Sequence, residues 1–144
     1  MAAYWISYLF SFLLLTMDPQ LEQVQKAAEG LLFMSESDYP FEVIQLPSVT
    51  GTIEEEIKGI VKLDLPVETQ TLDDFFRNAI KDNPEANEQQ QQTTQRFRQL
   101  KEVLERELTN VQVYRTGSVE IKVFIIGQLQ DGSYGGLTTK LIET

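Results

Sequence analysis

Residues 31–43 read Leu-Leu-Phe-Met-Ser-Glu-Ser-Asp-Tyr-Pro-Phe-Glu-Val, and here a helical sequence pattern gives way to a strand pattern. Between the two patterns lies a short acidic turn, Ser35-Glu36-Ser37-Asp38. The apolar residues flanking the turn are predicted core anchors: Leu31, Leu32, Phe33 and Met34 before it, and Tyr39, Phe41 and Val43 after it. Because functional groups are often carried on loops held by a rigid scaffold, the pattern predicts a carboxylate-bearing loop fixed at the surface.

The elements next to this turn are predicted from the spacing of their apolar residues. From Gln20, helical spacing continues through Leu21, Val24, Ala28, Leu31 and Leu32. Gly30 falls inside this pattern and either ends the helix or loosens its last turn. Residues 41–46 alternate as a strand that stops at Pro47.

The middle of the chain contains two helix starts and one ambiguous run. Thr52 and Thr71 are each followed three residues later by an acidic residue, which is the spacing of a capping box. The first opens a short turn and the second a short amphipathic helix. The run Ile60-Val61-Lys62-Leu63 is compatible with a strand or a loop.

The C-terminal half predicts one long helix followed by an antiparallel sheet. Residues 89–108 carry an apolar stripe at helical spacing: Phe97, Leu100, Val103, Leu104 and Leu108. The next residues alternate as strands over 111–115 and from 119 onward, Asp131-Gly132 is a hairpin signal, and residues 135–144 read as a last strand. The whole pattern predicts an α+β domain, with helices packed on an antiparallel sheet.

The charge balance bears on the kind of partner. The chain has 22 acidic and 12 basic residues and a formal net charge of −10. Affinity for nucleic acid comes largely from Lys and Arg on phosphates, so direct binding to nucleic acid is not expected. An acidic surface fits a protein that binds a basic partner or imitates a polyanion, although simple solubility would also explain it.

The residue types that are missing restrict the possible chemistry. The 144 residues include no Cys and no His. Thiol catalysis, disulfides, the Ser-His nucleophile pair and the commonest zinc ligands are therefore excluded. Glu36 and Asp38 remain as paired carboxylates, but carboxylates so close in sequence are more typical of a solvated turn than of a metal site.

The last strand pattern runs to Thr144 with no frayed tail. A paired strand would hold the hydroxyl and α-carboxylate of Thr144 in a fixed position, and hard oxygen ligands suit Mg²⁺. Taken alone, the pattern favours the simpler interpretation that the domain ends on a strand.

Residues 1–16 form an apolar N-terminal extension without charge. It is shorter than the roughly 20 residues of a stable membrane span, and it lacks the basic start and cleavage site of a secretory signal. If the extension is spurious or dispensable, the protein begins near Met17 and is expected to be cytoplasmic. A genuine signal would instead make the protein secreted, periplasmic or membrane-anchored.

With these residues in view, the sequence resembles the nuclease A inhibitor-like family. The resemblance is strongest from Gly30 to Val43 and at Val111-Gln-Val-Tyr-Arg115, and it returns at Gly117-Ser-Val-Glu120 and near Thr144. It implies an α-β-α sandwich similar to the plant pathogenesis-related proteins, spanning residues 17–144. It also implies a monomer that is not an enzyme and that blocks a sugar-non-specific, Mg²⁺-dependent DNA/RNA endonuclease as a 1:1 complex.

The resemblance assigns roles to particular residues. Glu36 is expected to stand in for the scissile phosphate, as a DNA mimic, and Thr144 to present its hydroxyl to the nuclease's Mg²⁺. The chain itself is expected to carry no cofactor. Ser35, Ser37, Asp38 and Glu143 would frame the contact.

The family's second contact uses an Asp-Trp pair before the long helix, whereas this chain has Pro84-Glu85 at that place. That contact is therefore missing or rebuilt. The alternative hypothesis is an acidic interaction module of the same fold with a different basic partner.

Overall fold

The structure is a computed structural model that describes residues 17–33 and 35–143. The predicted N-terminal extension, Met34 and Thr144 lie outside the described residues. The elements, in chain order, are α1 (Pro19–Ala28), β1 (Leu32–Phe33), β2 (Tyr39–Pro40), β3 (Glu42–Leu46), α2 (Ile53–Val61), β4 (Val67–Gln70), α3 (Leu72–Phe76), α4 (Glu88–Glu107), β5 (Thr109–Thr116), β6 (Glu120–Gln128) and β7 (Tyr134–Ile142).

Five strands form one antiparallel sheet in the order β3-β7-β6-β5-β4, and β1 pairs with β2 in a small hairpin. The central strand β6 alternates as predicted, so Val123 and Ile125 face one side while Phe124 and Ile126 face the other. The predicted α+β class and antiparallel sheet are confirmed. In the described part of the chain, no helix is long and apolar enough to cross a membrane.

Helices cover both faces of the sheet. On one face, α1, α3 and α4 bury their apolar stripes around Leu21, Phe76 and Leu100. On the other face, α2 packs through Ile57 against Phe124. Since both faces of β6 are covered by helices, the strand is apolar on both sides.

Local chemistry explains where the helices begin. Thr52 and Thr71 are N-caps, as predicted, because each hydroxyl accepts a hydrogen bond from the amide three residues on. The long helix α4 begins with a reciprocal capping box between Asn87 and Gln90.

Two features of the middle segment differ from the prediction. Ile60 and Val61, predicted as strand or loop, belong to α2, which ends at Lys62 in the left-handed region (φ 59°). Val61 continues the four-residue spacing of Ile53 and Ile57, and these side chains form the helix face that packs on the sheet. This packing outweighs the β propensity of the segment. Strand β4 was not predicted, and it forms by pairing with the end of β5.

The predicted core anchors around the acidic turn are only partly buried. Leu31 is buried, but Leu32 is 45% exposed, so its prediction as an anchor is wrong. In the β1–β2 hairpin side chains alternate between faces, and Phe33 takes the inward position. The Phe33 ring stacks on Phe75 with ring centroids 4.4 Å apart and meets Phe97 edge-on at 6.2 Å.

Candidate functional site

The acidic turn at residues 35–38 is attached to the end of the last strand. The Ser35 Oγ accepts a hydrogen bond from the Ile142 amide at 3.1 Å and donates one to the Ser37 carbonyl at 2.8 Å. The Glu36 amide donates to the Ile142 carbonyl at 3.2 Å. One residue of β7 therefore receives both a side-chain and a backbone contact from a turn more than a hundred positions earlier.

The base of the turn is also fixed. Strand β1 pairs with β2 across the turn, with Leu32 opposite Pro40. The Thr139 hydroxyl of β7 donates to the Pro40 carbonyl at 2.9 Å, and Phe33 anchors the other arm in the aromatic cluster. Above this base, the side chains of Glu36, Ser37 and Asp38 are exposed. The geometry is that of a carboxylate-bearing loop on a rigid support.

The chain end beside the turn is held by two further contacts. The Glu143 amide donates to the Val119 carbonyl at 3.0 Å, and the Glu143 carboxylate pairs with the Arg115 guanidinium at 3.1 Å. Thr144 follows directly but lies outside the described residues. Arg115 was not among the predicted site residues, and its only sequence signal was its place at the end of the Val111-Gln-Val-Tyr-Arg115 motif.

A groove of about 650 Å³ runs between the turn, the end of β7 and helices α3 and α4. Its floor is aromatic, with Phe33, Phe75 and Phe97, and its polar lining includes Ser35, Glu36, Gln70, Asp74, Asn78, Thr93, Arg115 and Glu143. Within the described ranges, no three carboxylates cluster in a way that would hold a metal ion. The arrangement brings the carboxyl-bearing residues Glu36, Asp74 and Glu143 to one groove.

The structure places Pro84 and Glu85 elsewhere. They lie in an exposed turn before α4, where the Glu85 amide donates to the Asn83 Oδ1 at 3.0 Å. Neither residue lines the groove beside Glu36. The predicted site residues within the described ranges thus divide into one group at the acidic turn and Glu143, and a separate pair just before the long helix.

Comparison with protein-family models identifies a family for this chain. The family model described as nuclease A inhibitor-like protein matches residues 18–144, which confirms the family predicted from the sequence. No match is found among curated proteins.

Proposed function

The chain belongs to the nuclease A inhibitor-like family, and from that premise we propose that it blocks the active site of a sugar-non-specific, Mg²⁺-dependent endonuclease. The family implies a nuclease inhibitor and makes a nuclease the expected partner. The finer proposal concerns which residues enter that active site and how they are held.

One observation carries the proposal. The turn that bears Glu36 is hydrogen-bonded through Ser35 to Ile142, two residues before Thr144. This supports a single contact surface in which Glu36 takes the place of the scissile phosphate and Thr144 faces the partner's Mg²⁺. Ser37, Asp38 and Glu143 would line the edge of this surface.

The physical properties of the turn suit an inhibitor. A loop that is rigid before binding loses little conformational entropy when it binds, so more of the contact energy contributes to affinity. The net charge of −10 lets the protein steer toward a basic, nucleic-acid-binding cleft. Inhibition of this kind requires neither His nor Cys.

The test is to titrate the purified protein against a family-matched nuclease with Mg²⁺ present. We expect Glu36→Ala and deletion of Thr144 each to weaken inhibition by about tenfold or more, as for a residue at the centre of an interface. Glu102→Ala, which removes an exposed carboxylate on α4, is the matched control and should inhibit normally. Full inhibition by both site variants would refute the proposed mechanism.

A second candidate function is suggested by Pro84-Glu85, which stand where the family has an Asp-Trp contact. The chain would then be an acidic interaction module with another basic partner. Affinity capture from the source cells separates the two candidates, because recovery of a nuclease supports inhibition, whereas recovery only of other basic proteins supports the second.

A further inference from the structure

Arg115 stands out among the residues that have no assigned role. It lies on β5, its side chain is 24% exposed, and it pairs with the Glu143 carboxylate at 3.1 Å. It lines the same groove as Glu36 and Glu143. Among the described residues that line this groove, it is the single basic side chain.

We infer that Arg115 is a positioning residue: it holds Glu143 and affects inhibition through Glu143 and through Thr144, which follows in the sequence. This inference rests on the proposed function. Chain termini are poorly ordered unless contacts tie them down. Here the Glu143 amide donates a hydrogen bond to the Val119 carbonyl, and the Glu143 carboxylate pairs with Arg115. Both the backbone and the side chain of Glu143, the residue before Thr144, are therefore fixed.

The positive charge of Arg115 is a second argument for its role in the groove. Three carboxylates, those of Glu36, Asp74 and Glu143, line the groove. Asp74 is paired with Arg77, which is not among the lining residues, and Glu143 with Arg115. Like charges in one groove repel, and a cation paired with one of them lowers that repulsion. A guanidinium remains charged at all accessible pH values and offers several N–H donors in a fixed plane. It is therefore suited to hold the Glu143 carboxylate in one orientation.

The decisive experiment compares Arg115→Gln in two backgrounds, using inhibition constants against the nuclease. In the full chain we expect a loss of about 1.5- to 5-fold, the size of a partly exposed ion pair. In a Thr144→Ala background, which keeps the chain length, the same substitution should add little because its effect passes through Thr144. An equal loss in both backgrounds would overturn the inference.

Two further variants separate pairing from general damage to the fold. Arg115→Lys keeps the positive charge and should retain more inhibition than Arg115→Gln; equal losses would contradict a role through charge. Arg106→Gln breaks the exposed pair between Arg106 and Glu107 on the long helix and should leave inhibition unchanged. Melting temperatures, measured on all variants, show that each is folded.

A measurement without nuclease keeps the inference testable if the proposed function fails. The Glu143 amide, bonded to Val119, should exchange its hydrogen faster in Arg115→Gln, while central β6 amides such as Val123 keep their wild-type rates. Unchanged exchange at Glu143 would refute positioning. Absence of inhibition by the wild-type protein would refute the proposed function alone.

Discussion

At the scale of single residues, the loop depends on one small hydroxyl. The Ser35 Oγ joins the Ile142 amide to the Ser37 carbonyl, so it fixes the turn internally and against β7 at once. A side chain with both donor and acceptor capacity is needed for this, and Ser is the smallest that has it.

Ser35→Ala should therefore loosen the loop and leave the Ile142 amide without this partner. We expect a loss of about 1–2 kcal/mol in unfolding free energy, measured by urea denaturation, and several-fold weaker inhibition. Ser48→Ala, which changes an exposed serine before α2, is the control and should match the wild type. If Ser35→Ala and Ser48→Ala show the same stability and inhibition, the hydrogen bond between Ser35 and Ile142 contributes to neither.

Tyr114 is expected to make stability sensitive to alkaline pH. Its side chain is buried on the sheet face covered by α2, and burial raises the pKa of the phenol, with a smaller contribution from the charge of Glu54. Folding then favours the neutral phenol. The stabilisation from the neutral phenol is fully present below the unfolded-state pKa of about 10. It is lost as the pH rises through the higher folded-state pKa.

Tyr114→Phe should remove this alkaline loss and change stability little at neutral pH. Urea unfolding of both proteins at several pH values between about 7 and 11 checks it, because only the wild type should show the extra decline above about 10. Parallel curves would contradict a role for Tyr114.

At the scale of elements, the turn between β5 and β6 supports the chain end. Gly117 has a φ of +110°, and a Cβ at this position would lie 2.2 Å from the Glu120 carbonyl oxygen. The same turn contains Val119, whose carbonyl accepts the Glu143 amide. A change in the conformation of this turn is therefore expected to displace Val119 and, through this hydrogen bond, Glu143.

Gly117→Ala should cost about 2 kcal/mol or more in stability and also weaken inhibition, since strain and a backbone clash act together. The matched control is Gly59→Ala inside α2, where a Cβ meets no atom within 4 Å. That substitution should be neutral or stabilise by up to about 1 kcal/mol, because Ala favours helix. Thermal unfolding of both variants tests the opposite signs.

The elements that the sequence predicted well are those with sustained periodicity. The apolar stripe of α4 and the alternation of β6 span many residues, so their type is unambiguous. Strand β4 and the β1–β2 hairpin are too short to show a period, and they form because neighbouring segments offer hydrogen-bond partners. Propensity also misleads at Val61, where packing of the α2 face decides, and Ile60 lies in the same helix although its side chain is exposed.

At the scale of the whole molecule, the site joins segments that are far apart in the sequence. The acidic turn was visible as a loop with apolar flanks, but its hydrogen bonds to Ile142 depend on the order of strands in the sheet. Only the family resemblance linked Glu36 to the chain end. Arg115 carried no comparable signal, because one Arg at the end of a strand pattern is usually a solvated residue.

The net charge of −10 gives a last prediction for the molecule as a whole. Long-range attraction to a basic nuclease cleft speeds encounter, and salt screens it over about 8 Å at physiological ionic strength. The association rate constant should thus fall by about 10- to 100-fold between about 20 and 500 mM NaCl. The dissociation rate should change much less, because it depends on contacts already formed.

Stopped-flow mixing of inhibitor and nuclease, with Mg²⁺ held constant, measures both rates. A double variant, Glu88→Gln with Glu102→Gln, removes two exposed carboxylates of α4 that do not line the groove. It should lower the association rate and its salt dependence slightly while leaving dissociation unchanged, because only the long-range field is altered. An association rate that is independent of salt would show that the acidic surface serves solubility rather than recognition.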